Sequence, residues 1–334
     1  MNSEWAVGDM NMFTLPPEQF GCNLDPDAPG TILNGSRITF TMPTGSSYDH
    51  TFVIRGGASG HLTIASSPDR SARSIVYDLV IQGDPASLDD VVFDKPDPDS
   101  VARSTIFTMD TMIPPPRPTD IAPCMRFDIT MYVPESLNKL TINITTPIQL
   151  TFSSQAHVEL DSLVIGLTSR HPKSRIDVSE SLHAKVMCID MYTGLIHGVI
   201  SIGNSLQISN WNGQIQIDAV PNVVDIINPP TALFTTTTTE GKVDIRYLRN
   251  TGYRKRTIES NHTMGTSCGS FDYDRSGFDG LLFLNSTKYN ITNLKSKQQQ
   301  PGRDSWAFVL GNRTGQDRIY ITSGTGSIIL PDHP

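Results

Sequence analysis

The stretch "MCIDMYTGLIHGVISIGNSLQISNWNGQIQIDAV", Met187 to Val220, decides the fold because it contains one phrase twice. The phrase is an apolar residue, any residue, Ile, four residues, Gly, any residue and Ile. Its members are Met187, Ile189, Gly194 and Ile196, followed nineteen residues later by Leu206, Ile208, Gly213 and Ile215. Repeats built from two helices and a turn need about 33 or 34 residues, so this interval is too short for them.

The spacing within the phrase predicts a stack of β-strands. Apolar-x-Ile places two side chains on one face of a strand, and the glycine supplies a positive φ where the chain turns. One such unit cannot bury its apolar face alone, so neighbours must stack into coils of about 19–24 residues. We therefore expect an all-β fold of the β-helix or β-solenoid class, with a β-sandwich as the alternative. A third copy with the same spacing is formed by Ile319, Ile321, Gly326 and Ile328.

The rest of the chain also favours strands, because apolar residues alternate with polar ones and helical periodicity is missing. Breaker-rich segments such as "DKPDPDS" and "MIPPPRPTD" interrupt the first part of the sequence. We predict an N-terminal, less regular β region with Pro-rich loops at residues 1–130 and an adhesin-like solenoid at residues 131–334. The threonine run Thr235 to Thr239 is either a strand rich in β-branched residues or an O-glycosylated stalk, and an edge strand or an inserted loop is favoured.

Charge and hydropathy limit the partners of the protein. The 334 residues carry a formal charge of −8 with a pI near 5.4, which argues against a nucleic-acid partner. The dense basic run Arg254-Lys255-Arg256 is interpreted as a solvated loop. No membrane span is expected in this chain, and its first thirty residues lack a secretory signal. We expect an extracellular or cell-surface location with the signal or anchor outside this sequence, and a cytoplasmic location is the alternative.

Two further patterns concern the compartment. Six Asn-x-Ser/Thr sequons make glycosylation candidates of Asn34, Asn143, Asn261, Asn285, Asn290 and Asn312. An even cysteine count makes disulfide candidates of Cys22, Cys124, Cys188 and Cys268. Because Met187 and Ile189 face the core, Cys188 faces outward, and we predict that it is bridged or close to another sulfur, with Cys268 as the preferred partner.

The catalytic motifs in the sequence are incomplete. Gly265 to Gly269, "GTSCG", matches the nucleophile elbow of α/β-hydrolases, but no helix pattern follows it. The segment "DYDRSGFDG", Asp272 to Gly280, begins like an EF-hand loop and lacks the bidentate Glu at position twelve. A polar turn capped by Asx hydrogen bonds is therefore favoured, and a partial calcium loop of another type is the alternative. The histidines and cysteines show no zinc-ligand spacing, so neither a metal nor a cofactor is expected.

Four segments resemble a known family: "FDITMYVPESLNKLTINIT", "CIDMYTGLIHG", "LQISNWNGQIQI" and "SCGSFDYDRSGFDGLLFL". They are similar to the putative-adhesin domain family of bacterial and fungal surface proteins, over about residues 50–330. The resemblance implies a β-solenoid that is surface-associated or exported, and the family has no established catalytic residues to carry over.

Together these features predict a non-enzymatic protein that acts in adhesion or as a structural scaffold. Its outward side chains would form a polar lattice that binds glycans or surface proteins through many weak contacts. The predicted lattice contains Gln207, Ser209, Asn210, Gln214 and Gln216, with Asp190 and His197 on the neighbouring coil. The alternatives are a carbohydrate-active β-helix enzyme of the polysaccharide lyase or hydrolase type and an intracellular structural protein.

Overall fold

The protein is an all-β molecule, as its alternating sequence predicts. The computed structural model describes residues 31–32, 37–83, 88–96, 104–111, 125–154, 157–221, 230–248, 256–266, 268–273, 278–286, 288–291, 297–299, 305–310 and 314–330. Within these ranges every element is a β-strand, and the strands belong to one 23-stranded sheet. The sheet curls into an open half-barrel.

The strands are short in the first half of the chain and longer in the middle. The first twelve are β1 Thr31–Ile32, β2 Ile38–Pro43, β3 Asp49–Arg55, β4 Ser59–Ser66, β5 Ser74–Gly83, β6 Val92–Asp94, β7 Ser104–Asp110, β8 Met125–Val133, β9 Lys139–Ile144, β10 Ile148–Phe152, β11 Val158–Leu167 and β12 Arg175–Val178. The others are β13 Leu182–Ile202, β14 Ser205–Pro221, β15 Ala232–Tyr247, β16 Ile258–Met264, β17 Cys268–Asp272, β18 Gly280–Asn285, β19 Lys288–Ile291, β20 Lys297–Gln299, β21 Ser305–Leu310, β22 Asp317–Ser323 and β23 Ser327–Leu330.

Two long parallel ladders make up most of the sheet. The first ladder runs β7, β3, β9, β11, the first half of β13, of β14 and of β15, then β16, β22 and β18. The second ladder runs β8, β4, β10, β12, the second half of β13, of β14 and of β15, then β17, β23 and β19. Strands β13, β14 and β15 take part in both ladders, so they join them.

The two copies of the opening phrase lie side by side. Met187 pairs with Leu206, Ile189 with Ile208, Gly194 with Gly213 and Ile196 with Ile215. Their apolar side chains point inward and belong to one continuous hydrophobic cluster that also contains Ile319, Ile321 and Ile328. Burial of this alternating apolar set is the main stabilising contribution, because each fully buried side chain contributes about 1.5–3 kcal/mol.

Glycines line the corner where β13, β14 and β15 pass from the first ladder to the second. Gly194 and Gly241 adopt positive φ values of 126° and 122°, as the phrase predicts. Gly213 does not have a positive φ. A glycine is needed there because a Cβ would overlap the carbonyl oxygen of Gly194. The corner therefore excludes side chains at three successive strands.

Asn210 belongs to this corner and not to the outward lattice in which the sequence analysis placed it. Its side chain is fully buried, and its Nδ2 donates hydrogen bonds to the carbonyl oxygens of Gly194 at 3.1 Å and Gln214 at 3.0 Å. The prediction that Asn210 faces outward is wrong. The chain turns at this corner, and the Asn210 amide supplies the hydrogen bonds that backbone N–H groups would otherwise give to these carbonyl oxygens.

The threonine run lies in the interior of the sheet. Strand β15 pairs with β14 on one side and with β16 on the other, and Thr236 and Thr238 are buried. The run is therefore a β-strand, as one interpretation predicts, but its placement at an edge or in an inserted loop is wrong. Thr236 faces inward, where its Oγ1 lies 2.8 Å from Nδ1 of His262.

His262 is part of a buried hydrogen-bonded trio. Its Nε2 lies 2.6 Å from the hydroxyl of Tyr247, so both ring nitrogens have partners. The surrounding contacts are aromatic, with Phe234 and Phe271 packed against the imidazole. Burial lowers the pKa of His262 to about 3, because desolvation penalises the charged form.

A second trio of the same composition lies near the other end of the ladders. The imidazole of His50 hydrogen-bonds the Thr105 hydroxyl at 2.7 Å through Nδ1 and the Tyr77 hydroxyl at 2.6 Å through Nε2. Burial lowers the pKa of His50 to about 4 for the same reason. Each end of the core thus contains a neutral histidine held by one threonine and one tyrosine.

At both ends of the ladders the spatial order departs from the chain order. Strands β3 and β4 lie between the pair β7 and β8 and the pair β9 and β10. Strands β22 and β23 likewise lie between β16 and β17 on one side and β18 and β19 on the other. The predicted boundary at residue 130 falls inside β8, and the same ladders continue across it.

Arg256 shows that the basic run is not simply a solvated loop. Its side chain is buried, and the guanidinium donates to Pro230 O at 2.7 Å, Gly203 O at 2.8 Å and Asn204 Oδ1 at 2.9 Å. The interpretation is wrong for this residue, while Arg254 and Lys255 lie outside the described residues. Arg256 therefore ties the turn between β13 and β14 to the start of β15.

Replacing Arg256 by Ala is expected to destabilise the protein by about 2–4 kcal/mol, because buried carbonyl oxygens lose their donors. Lys should rescue it poorly, since an ammonium lacks the planar fork that serves three acceptors. Urea denaturation measures the change. The control is Arg246→Ala, which removes an exposed ion pair with Asp218 and should cost less than about 1 kcal/mol. Equal losses in the two variants would contradict the assigned role.

Candidate functional site

The outer side of the second ladder carries a continuous set of polar side chains, which we call the polar face. They are partly or fully exposed and occupy the outward positions of consecutive strands from β8 to β15. The polar face consists of Asp128, Thr130, His61, Thr63, Gln149, Thr151, Arg175, Asp177, His197, Gln214, Gln216, Lys242 and Asp244.

The centre of the polar face is organised around Asp177. Arg175 Nε donates to both of its carboxylate oxygens at 2.6 and 2.7 Å, and Gln149 Nε2 donates to Oδ2 at 3.1 Å. From the next strand, His197 Nδ1 lies 3.5 Å from Asp177 Oδ1 and accepts a hydrogen bond from Arg175 at 3.4 Å. Three neighbouring strands therefore contribute to one hydrogen-bonded cluster.

Hydroxyl groups extend this cluster toward the N-terminal strands. Thr63 and Thr151 are neighbours across β4 and β10, with their hydroxyl oxygens 3.4 Å apart, and Thr151 also lies 3.3 Å from His61 Nε2. Burial lowers the pKa of His61, while the Asp128 carboxylate opposes that shift. This part of the face offers both donors and acceptors to a ligand.

Ion pairs extend the polar face in the other direction. Lys242 Nζ lies 2.7 Å from Asp244, and Arg246 donates to both oxygens of Asp218 at 2.6 and 2.7 Å. That hydrogen-bonded carboxylate raises the pKa of the Arg246 guanidinium. Each acidic group is therefore already bonded to a basic side chain.

The sequence contains a pattern that marks this face, and the lattice prediction did not use it. It is a basic residue, one apolar residue and Asp, found at Arg126-Phe127-Asp128, Arg175-Ile176-Asp177 and Lys242-Val243-Asp244. In each copy the apolar residue is buried and the two charged residues lie together on the opposite side of the strand, where they form an ion pair; of these, Arg126 is itself buried.

The structure divides the predicted lattice between two faces. Gln214, Gln216 and His197 belong to the polar face, with His197 opposite Gln216. The other outward members lie on the outer side of the first ladder, where Asp190 pairs with Ser209 and Gln207 is exposed.

The sequon asparagines that the structure describes are all exposed. Asn143, Asn261 and Asn285 project from the outer side of the first ladder, and Asn290 lies in β19. Asn34 and Asn312 lie outside the described residues. Glycosylation of these sites stays a prediction, and the exposure provides the access that it requires.

The predicted bridge between Cys188 and Cys268 is wrong. Both thiols are free, and they lie in different ladders three strands apart, about 14 Å at the usual strand spacing. A disulfide needs Cα atoms within about 7 Å. Burial raises the pKa of Cys188 to about 11, whereas a hydrogen bond from Ser327 lowers that of Cys268. Cys22 and Cys124 lie outside the described residues.

The remaining motifs form no catalytic arrangement in the described residues. The segment around "GTSCG" passes from strand β16 to strand β17, whereas a nucleophile elbow passes from a strand to a helix. Ser267 and Asp274 to Gly277 lie outside the described residues. Among those described, no three His, Cys, Asp or Glu side chains are grouped to hold a metal ion. In the same part of the chain, no helix is long and apolar enough to cross a membrane.

Comparison with known proteins gives structural matches only. No protein-family model and no curated protein matches the chain. Among solved structures, a putative adhesin from Bacteroides fragilis matches at 12% identity and a TM-score of 0.40, covering 89% of this chain and 97% of its own. A putative adhesin from Parabacteroides merdae matches at 11% identity and 0.37, covering 90% and 98%. A putative cell adhesion protein from Clostridium sporogenes matches at 8% identity and 0.26, covering 88% and 98%. At these identities no residue role is transferred.

Proposed function

We propose that the chain is a β-solenoid that acts without catalysis, as an adhesin or structural scaffold at the cell surface or outside the cell. In this proposal one strand of the first ladder, a glycine corner and one strand of the second ladder make each coil. The proposal rests on one observation, which is that side chains of successive strands stand in register along both ladders. Register of this kind repeats the same outward position about every 4.8 Å.

The polar face is the binding surface in this proposal. Its amides, hydroxyls and ion pairs alternate donors with acceptors, and the cluster around Asp177 holds several of them in fixed positions. Such a surface suits glycans or a polar protein surface, where many weak contacts act together and increase the overall affinity.

The absence of turnover is part of the proposal and follows from the carboxylates. Hydrolysis of a glycosidic bond needs two carboxyl groups about 5–9.5 Å apart, one of which supplies a proton. On the polar side of β14 and β15, Asp218 and Asp244 lie on adjacent strands, two positions apart in register. Arg246 bonds both oxygens of Asp218 and Lys242 bonds Oδ2 of Asp244, so each carboxylate is already paired with a basic side chain.

A glycan panel tests the proposal by recording both binding and new reducing ends. We expect binding without product, weakened about tenfold or more when Gln214 and Gln216 are both replaced by Ala, because each coil supplies part of a multivalent contact. The matched control is the double Ala variant of Gln207 and Ser209, on the outer side of the first ladder. Equal weakening by both variants would contradict the polar face. Product formation that disappears in Asp244→Asn would establish the enzyme alternative.

A further inference from the structure

Two large aromatic side chains are exposed at the corner between the ladders. Trp211 is 60% exposed and Tyr192 is 38% exposed. Met191 pairs with Asn210 and Thr193 with Asn212, so Tyr192 and Trp211 lie opposite each other on adjacent strands. Their backbones are therefore about 4.8 Å apart, which brings both rings to one ridge of the surface.

The corner itself does not require aromatic residues. On the following strand the same position, between Thr238 and Glu240, is occupied by Thr239. Tryptophan is buried on average in folded proteins, because its ring carries a large apolar area. Two exposed rings on adjacent strands therefore indicate a surface that a ligand or partner covers when the protein functions.

Polar groups surround the two rings. Asn212 is exposed next to Trp211, and Glu240 is exposed opposite Asn212 on β15. The guanidinium of Arg170 lies 5.5 Å from the centre of the Tyr192 ring, which holds that ring from one side. The ridge thus combines flat apolar surfaces with hydrogen-bonding groups of both kinds and contains one charge of each sign.

We propose that Tyr192 and Trp211 bind an uncharged, β-linked oligosaccharide of glucose or N-acetylglucosamine units. This inference rests on the proposed glycan-binding function and assigns it a ligand class. In such sugars every ring substituent is equatorial, so each ring presents a flat face of C–H groups that stacks on an aromatic ring. The equatorial hydroxyls point sideways, toward the part of the ridge where Asn212 and Glu240 are exposed. Stacking buries apolar surface of both partners, which is favourable.

Calorimetric titration of the full chain with cellohexaose and chitohexaose tests the proposal. We expect one of them to bind, and Trp211→Ala to weaken that binding at least tenfold. Tyr192→Ala should weaken it severalfold, whereas Tyr192→Phe should retain it, because stacking needs the ring and not the hydroxyl. The matched control is Tyr320→Ala, since Tyr320 is an exposed aromatic residue of the first ladder. Unfolding curves of all variants show whether each one is folded.

The outcomes separate this inference from the proposed function. If a hexasaccharide binds and Trp211→Ala leaves its affinity unchanged, the stacking site is refuted and the polar face remains. If neither hexasaccharide binds but other glycans do, the ligand class is refuted and the glycan-binding function stands. If no glycan binds the native chain, the stacking site and the glycan-binding role of the polar face are both refuted, and a scaffold role or a protein partner remains.

Discussion

Acidification from about pH 7 to about pH 3 is expected to destabilise the protein by about 7 kcal/mol through His50 and His262 alone. Their pKa values in the folded state are about 4 and about 3, against an ordinary value of 6.5. Above pH 6.5 both histidines are neutral in the folded and the unfolded chain. Below it the unfolded chain takes up protons that the folded chain excludes, so stability falls until the pH passes the folded pKa values.

The physical cause is the composition of the two trios. Each imidazole contacts a threonine hydroxyl, a tyrosine hydroxyl and aromatic rings, and the described contacts of both rings include no carboxylate. A charged imidazole would need both nitrogens to donate in a dry environment. Since the total stability of a domain is only about 5–15 kcal/mol, we expect unfolding well above pH 3.

Urea denaturation at several pH values measures this effect, with proton uptake on unfolding approaching two near pH 5. A variant with Gln at both His50 and His262 should show a much flatter dependence, since an amide keeps a donor and an acceptor without titrating. The exposed His157 provides the control, and His157→Gln should leave the steep dependence in place because the two buried trios are intact. If the double variant fails to fold, the number of protons that the native chain takes up on unfolding near pH 5 tests the prediction instead. A native stability that is the same at pH 7 and pH 4.5 would refute the role of the two trios.

Replacing Gly194 by Ala is expected to cost about 3–5 kcal/mol, the second largest effect. The positive φ of 126° is strained for any residue with a Cβ, and that Cβ would overlap the carbonyl oxygen of Ser174. Relief would require the backbone of β12 or β13 to move, and both strands are paired on each side. The loss is measured by urea or thermal denaturation.

Gly166 provides the matched control for that substitution. It lies in β11 of the first ladder. The nearest neighbour of a Cβ there would be the flexible side chain of Asn143, at 3.1 Å. Gly166→Ala should therefore change stability by less than about 1 kcal/mol. Comparable losses at both positions would mean that the corner is not specially constrained.

The part of the fold that could be predicted from sequence is the part in which inward positions are apolar. The phrases at Met187 and Leu206 differ mostly at outward positions, so their alignment also predicts which residues lie side by side. Asn210 also obeys this alternation, since it follows Leu206 and Ile208 at intervals of two residues and lies inward with them. Its polarity alone suggested an outward position, whereas the corner uses its amide to satisfy backbone groups.

The buried histidines and Arg256 could not be predicted for a different reason. Their partners are distant in sequence: Tyr77 and Thr105 for His50, and Gly203 for Arg256. An isolated polar residue at an inward position gives no indication of which distant group satisfies it. The polar face was accessible in principle, since the basic-apolar-Asp triplets are visible in the sequence, but their common surface depends on which strands pair.

The interior position of β22 and β23 determines the order in which the sheet can be completed. During synthesis β16, β17, β18 and β19 all leave the ribosome before the residues that separate them in space. The edges of β16 and β18 must therefore either wait unpaired or pair wrongly and separate again. Exposed strand edges of this kind promote association between chains. The yield of native protein should consequently depend more on how long the nascent chain is protected from association than on the stability of the completed fold.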